Sequence, residues 1–86
     1  MSDKDQLLTK LIGEKIREAR QAITVNQEEF AHRIGIHRNN LGRIERGLSL
    51  PKGITIAKMI TEWDIDITKI VQEASAEVKL LFPDEE

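Results

Sequence analysis

Between Arg33 and Lys52 the chain concentrates five basic residues, Arg33, Arg38, Arg43, Arg46 and Lys52, against one acid, Glu45. Two amides, Asn39 and Asn40, lie among them. A guanidinium is a planar fork that bonds guanine O6 and N7 together, and an asparagine amide does the same for adenine N6 and N7. Each well-placed pair discriminates between bases by ~1–3 kcal/mol. The local balance here is +4, whereas residues 53–86 hold Lys58, Lys69 and Lys79 against eight acids for −5, and residues 1–32 stand at −1. The whole-chain charge of −2 therefore conceals one cationic face, which can turn a single side of the molecule toward a polyanion.

Other chemistries find little support. His32 and His37 are five apart and lack the i, i+4 spacing of a helical zinc site. There is no GxSxG, no glycine-rich phosphate loop and no calcium-loop spacing. Glu28 and Glu29 fall on a helical first turn, where the dipole accounts for them. With no cysteine the chain has neither disulfides nor thiolate ligands, which suits a reducing cytosol. No apolar run approaches the ~20 residues of a bilayer span. Asp3 and Asp5 stand where a secretory signal wants lysine. The expectation is a cytoplasmic protein with no catalytic residue, metal, cofactor, membrane contact or small-molecule ligand.

Eighty-six residues make one domain. Leu7, Leu8, Leu11, Ile12, Ile16, Ala19 and Ile23 recur at threes and fours, predicting a helix from about Asp5 to Ala22 behind a frayed start. Gly13 interrupts the pattern and allows a start near Ile12 instead. Asn26 and Glu29 form a capping box for a second helix, preferred over Thr24 with Gln27 because it leaves Phe30, Ala31 and Ile34 on one inward face. Gly35 ends that helix. A third runs from about Arg38 to Arg46 and stops at Gly47.

Stepping 100° per residue turns Leu41 and Ile44 inward and sets Asn39, Gly42, Arg43 and Arg46 opposite, with Arg38 and Asn40 on the flanks. Glu45 falls beside the apolar stripe and asks for a partner. Two short helices joined by a tight turn, the second showing a basic, amide-rich face, usually address the major groove of DNA. After a loop held non-helical by Pro51, Ile56, Ala57, Met59, Ile60 and Trp63 mark a fourth helix ending near Trp63. Asp66 caps a fifth carrying Ile67, Ile70, Val71, Ala74, Val78 and Leu81. Residues 76–82 also alternate loosely, which leaves a terminal strand open. The fold class is all-α: a compact bundle of five helices.

Over roughly Ile12 to Ile70 the sequence resembles the Cro/repressor-type helix-turn-helix family, also called XRE-like or lambda-repressor-like. The resemblance rests on Ile16-Arg17-Glu18-Ala19-Arg20, Asn26-Gln27-Glu28-Glu29-Phe30-Ala31, Ile34-Gly35-Ile36 and Leu41-Gly42-Arg43-Ile44-Glu45-Arg46-Gly47. It implies a lambda-repressor-like DNA-binding domain over residues 12–70, with its motif at about 27–46. Residues 1–11 then extend the first helix, and 71–86 form a helical extension and acidic tail. It also implies that Gln27 bonds a DNA phosphate and braces the reading helix, as suits a helix N-terminus. Arg20 and Glu45 would form a partly buried ion pair. Base readout would fall to Arg38, Asn39, Asn40 and Arg43. Arg46 and Lys52, with Arg33 as a weaker candidate, would touch phosphate.

This sequence departs from the family at three places. His37 stands at an N-cap where the family favours serine, threonine or aspartate, and serves as a mediocre cap or a phosphate contact. Gly42 interrupts a helix interior, to let DNA approach or as a tolerated defect. Trp63 replaces the usual leucine and is expected in the core.

The function implied is a bacterial or phage-encoded regulator of transcription, nucleoid-associated when bound. It would be a homodimer reading a palindromic double-stranded operator. Ile65, Ile67, Val71, Val78, Leu81 and Phe82 supply the candidate self-association surface. The alternative is a protein-interaction module, such as an antitoxin or adaptor, that uses the same fold without touching DNA.

Overall fold

The computed structural model describes residues 2–83. Its elements are α1 (Asp3–Ala22), α2 (Gln27–Arg33), α3 (Arg38–Glu45), α4 (Gly53–Trp63) and α5 (Ile67–Leu81), with no strand among the described residues. The acidic residues Asp84, Glu85 and Glu86 lie outside that range.

Helix α1 begins earlier than the periodicity suggested. Ser2 caps it by accepting the Asp5 N–H at 3.2 Å, and Asp3 and Asp5 complement the dipole of the first turn. Neither a frayed start nor a start at Ile12 survives. Gly13 is a packing requirement and not a break. A Cβ there would sit 2.1 Å from the Ile44 carbonyl oxygen, so only hydrogen lets α1 cross the end of α3 at this distance. Gly47, in the left-handed region at φ +77°, meets the Lys10 backbone in the same crossing.

Asn26 caps α2, its side chain accepting the Glu29 N–H at 2.8 Å. The loop before it contains Thr24 at φ +56°, a conformation that a β-branched residue adopts at some cost. Asp66 caps α5 through the Lys69 N–H at 3.0 Å. Helix α5 packs along α1, where Lys15 Nζ and Glu77 Oε2 pair at 2.7 Å. The Glu77 carboxylate holds the Lys15 ammonium above its ordinary pKa. Residues 76–81 belong to this helix and not to a strand, because Ile70, Ala74 and Val78 keep i, i+4 spacing on its buried side.

Phe30, Ile16, Ile34, Leu41 and Met59 are the largest fully buried side chains and form the centre of the core. Trp63 closes one edge. Its ring stacks on Phe30 with centroids 5.3 Å apart, and its Nε1 donates to the Phe30 carbonyl at 3.3 Å. The Arg33 guanidinium lies 4.3 Å from the Trp63 ring centroid and also meets Glu62 at 3.5 Å. Arg33 thus fastens α2 to α4.

Replacing Gly13 by Ala is expected to cost roughly 1–3 kcal/mol, because the methyl forces α1 and α3 apart. A thermal melt followed by circular dichroism should show Tm falling by ~4–8 °C per kcal/mol. An unchanged Tm would mean that the crossing is looser than described.

Candidate nucleic-acid interface

Helix α3 owes its orientation to three devices. Leu41 and Ile44 anchor its inner side at 0% and 5% exposure. His37 caps its start, Nδ1 accepting the Asn39 N–H at 3.0 Å. The imidazole therefore does the work of the missing serine or aspartate; the sequence understated this cap.

The third device lies at the helix C-terminus. Arg20 on α1 grips Glu45 with two bonds, Nε to Oε2 at 2.6 Å and Nη2 to Oε1 at 3.0 Å. Its remaining nitrogen, Nη1, donates to the Val25 carbonyl at 2.8 Å. Gln27, the first residue of α2, donates from Nε2 to Glu45 Oε1 at 2.9 Å. Both charged side chains are nearly water-free, at 9% and 2% exposure. Every buried side-chain nitrogen and oxygen among the described residues has a partner. One carboxylate thus joins α1, α2 and α3.

With α3 held in this way, Arg38, Asn39, Asn40 and Arg43 all lie exposed. Among the described residues no hydrogen bond or ion pair engages any of these four side chains. Gly42 is not among them. Gly42 is buried, with Arg46 Nη1 lying 3.1 Å from the point where a Cβ would stand and the Gln27 amide nitrogen 4.0 Å away. The helical wheel misplaced it because the long Arg46 side chain folds back over the preceding turn. Lys52, exposed at the N-cap of α4, lies on the rim of an open groove shared with His37, Asn40 and Lys58.

Sequence reasoning passed over Arg17. It lines a second cleft with Arg20, Gln27, Gly42, Glu45 and Arg46, so two exposed guanidinium groups flank the Gln27 amide. The signal was available, since Arg17 precedes Arg20 by three residues and shares its face of α1.

The candidate self-association residues do not form one surface. Ile65 and Val78 are buried in the monomer at 6% and 9% exposure, because the α4–α5 turn and the inner side of α5 close the core. Ile67 and Phe82 are half-buried, and Val71 and Leu81 are exposed. Among the described residues no His, Cys, Asp and Glu cluster is placed to hold a metal ion, and no helix is long and apolar enough to cross a membrane.

Comparison with known proteins agrees with this geometry. The helix-turn-helix family model matches residues 16–70, most of the chain. The chain is similar to the cryptic phage CTXphi transcriptional repressor RstR of Vibrio cholerae, at 29% identity over 68 residues. The match covers 79% of this chain and 61% of that repressor, so the chain spans about three fifths of its relative's length.

Removing the carboxylate with Glu45→Ala leaves a buried guanidinium uncompensated, at an expected cost of ~3–5 kcal/mol in urea unfolding. Replacing both partners, Arg20→Met with Glu45→Leu, should recover most of that loss, since two apolar groups leave no orphaned charge. His37→Ala should cost ~1 kcal/mol through the lost cap, and His37→Ser should restore it.

Proposed function

The chain belongs to the helix-turn-helix family, and from that membership we propose that it is a sequence-specific, double-strand DNA-binding transcriptional regulator. It acts as a homodimeric repressor or controller protein in the cytoplasm. The carrying observation is the set of four unengaged side chains on α3, Arg38, Asn39, Asn40 and Arg43, held outward while Leu41 and Ile44 anchor the opposite side. Arginine and asparagine at these positions suit guanine and adenine edges in the major groove. Gln27, Arg46 and Lys52 serve the phosphate backbone. Gln27 arrives already oriented, because Glu45 holds one of its amide hydrogens and leaves the other free to donate.

A single eight-residue helix reads too few base pairs to select one site. Two copies related by a twofold axis read two half-sites about one helical turn apart, roughly 34 Å, and so favour a palindromic operator. Residues 12–70 are the reading unit, and the part of α5 beyond it is an extension. The relative's printed role as a phage repressor supports control of transcription by promoter occupancy. The competing role, protein interaction without DNA, gives these four side chains no task.

If each dimer neutralises ~6–8 phosphates, log affinity for duplex should fall against log salt with a slope of about −5 to −7. Arg38→Ala and Arg43→Ala are expected to remove ~1–3 kcal/mol of base discrimination each while the fold stays intact. Selection from random duplexes followed by footprinting measures both the preferred site and its symmetry. A slope near zero would defeat the reading.

A further inference from the structure

Four of the five helices begin under a side-chain cap, from Ser2, Asn26, His37 and Asp66. Helix α4 does not. Lys52 stands at its N-cap without capping it, so the N–H groups of Gly53, Ile54 and Thr55 meet no acceptor among the described residues. A second polar group at the same helix start is idle as well. Thr55 is 4% exposed, yet its hydroxyl makes no hydrogen bond among the described residues. No fully covered side-chain oxygen lacks a partner, so this hydroxyl keeps its small opening toward the groove that Thr55 lines.

That groove, about 620 Å³, has two kinds of wall. Ile36, Leu50, Pro51 and Ile54 supply aliphatic surface, with Leu50 and Ile54 left 53% and 65% exposed. Lys52 and Lys58 supply charge, and among the described residues no carboxylate lines the groove. Lys58 is half-buried and has no ion-pair partner, its Nζ lying 3.1 Å from where a Gly35 Cβ would stand.

We propose that this groove binds a small aliphatic carboxylate. The head sits at the start of α4 and accepts from the free backbone N–H groups and the Thr55 hydroxyl. The hydrocarbon body covers Leu50 and Ile54. A helix N-terminus offers convergent donors and partial positive charge, and the two lysines add to both. The volume lies within the ~300–1,000 Å³ usual for small-molecule sites. No aromatic side chain lines the walls, which suits an aliphatic body. A duplex phosphate would answer the charge but would leave Leu50 and Ile54 in water.

Asn40 and Lys52, assigned above to the duplex, share the groove. An occupant therefore opposes DNA and makes occupancy of the operator sensitive to a metabolite-sized acid. That consequence rests on the DNA reading, whereas the binding itself does not.

Octanoate is the probe, titrated into the full chain without DNA by calorimetry and amide NMR, with 1-octanol and inorganic phosphate for comparison. Octanoate should bind at least ~10-fold more tightly than either, because it alone meets both walls. The Gly53, Ile54 and Thr55 amide signals should shift. Thr55→Val keeps the side-chain shape and should weaken octanoate ~10-fold while leaving the thermal melt in place. Lys58→Gln should weaken it several-fold, and decides alone if Thr55→Val perturbs the fold.

Failure of octanoate to bind, or affinity unchanged in a folded variant, overturns the proposal. So does octanol binding equally well, which reduces the groove to bare apolar surface. Phosphate binding equally well also overturns it, leaving a seat for the duplex backbone only. On a random-sequence duplex, octanoate should raise the wild-type Kd and leave that of Thr55→Val nearly unmoved. Duplex affinity that ignores saturating octanoate overturns the regulatory consequence. Octanoate bound at α4 by a chain with no duplex affinity upholds the site and defeats the DNA reading alone.

Discussion

One carboxylate organises this molecule. Glu45 terminates α3, accepts two bonds from Arg20 and a third from Gln27, and does so with almost no water in reach. A buried pair of this kind adds little net stability, because desolvation offsets most of the Coulomb attraction. Its contribution is positional. Three helices are referred to a single point, and the fork-on-carboxylate geometry resists rotation as well as translation. The surface of α3 can then consist of long polar side chains that bond nothing in the protein, because its attitude does not depend on them.

Much of this was readable from residue order. The five helices, the inward Phe30, Ile34, Leu41 and Ile44, and the Asn26 cap all follow from periodicity and local capping chemistry, which act over a few residues. Glu45 was marked as needing a partner because it fell beside an apolar stripe. Its partnership with Arg20, twenty-five residues away, came from family resemblance, since no local rule spans that distance.

What escaped the sequence was set by tertiary approach or by side-chain conformation. Gly13 reads as a mild defect in α1 until the Ile44 carbonyl is seen against it. Gly42 reads as solvent-facing on a wheel that treats side chains as spokes, whereas Arg46 bends back and covers it. His37 looks like a poor cap by composition and is a competent one by geometry. Ile65 and Val78 look like surplus apolar residues and close the core. Neighbours distant in sequence decided Gly13, Ile65 and Val78, whereas Gly42 and His37 turned on side-chain conformations within four residues.

The chain holds one tryptophan, and it is placed with an aromatic ring beneath it and a guanidinium nearby. Both neighbours belong to α2, while the indole itself ends α4. Its ultraviolet emission is thus an intrinsic gauge of one seam, α2 against α4. None of the four base-reading candidates on α3 is among its stacking or hydrogen-bonding neighbours. Light from Trp63 distinguishes a loosening of the scaffold from an event confined to the outer side of α3, with no label attached.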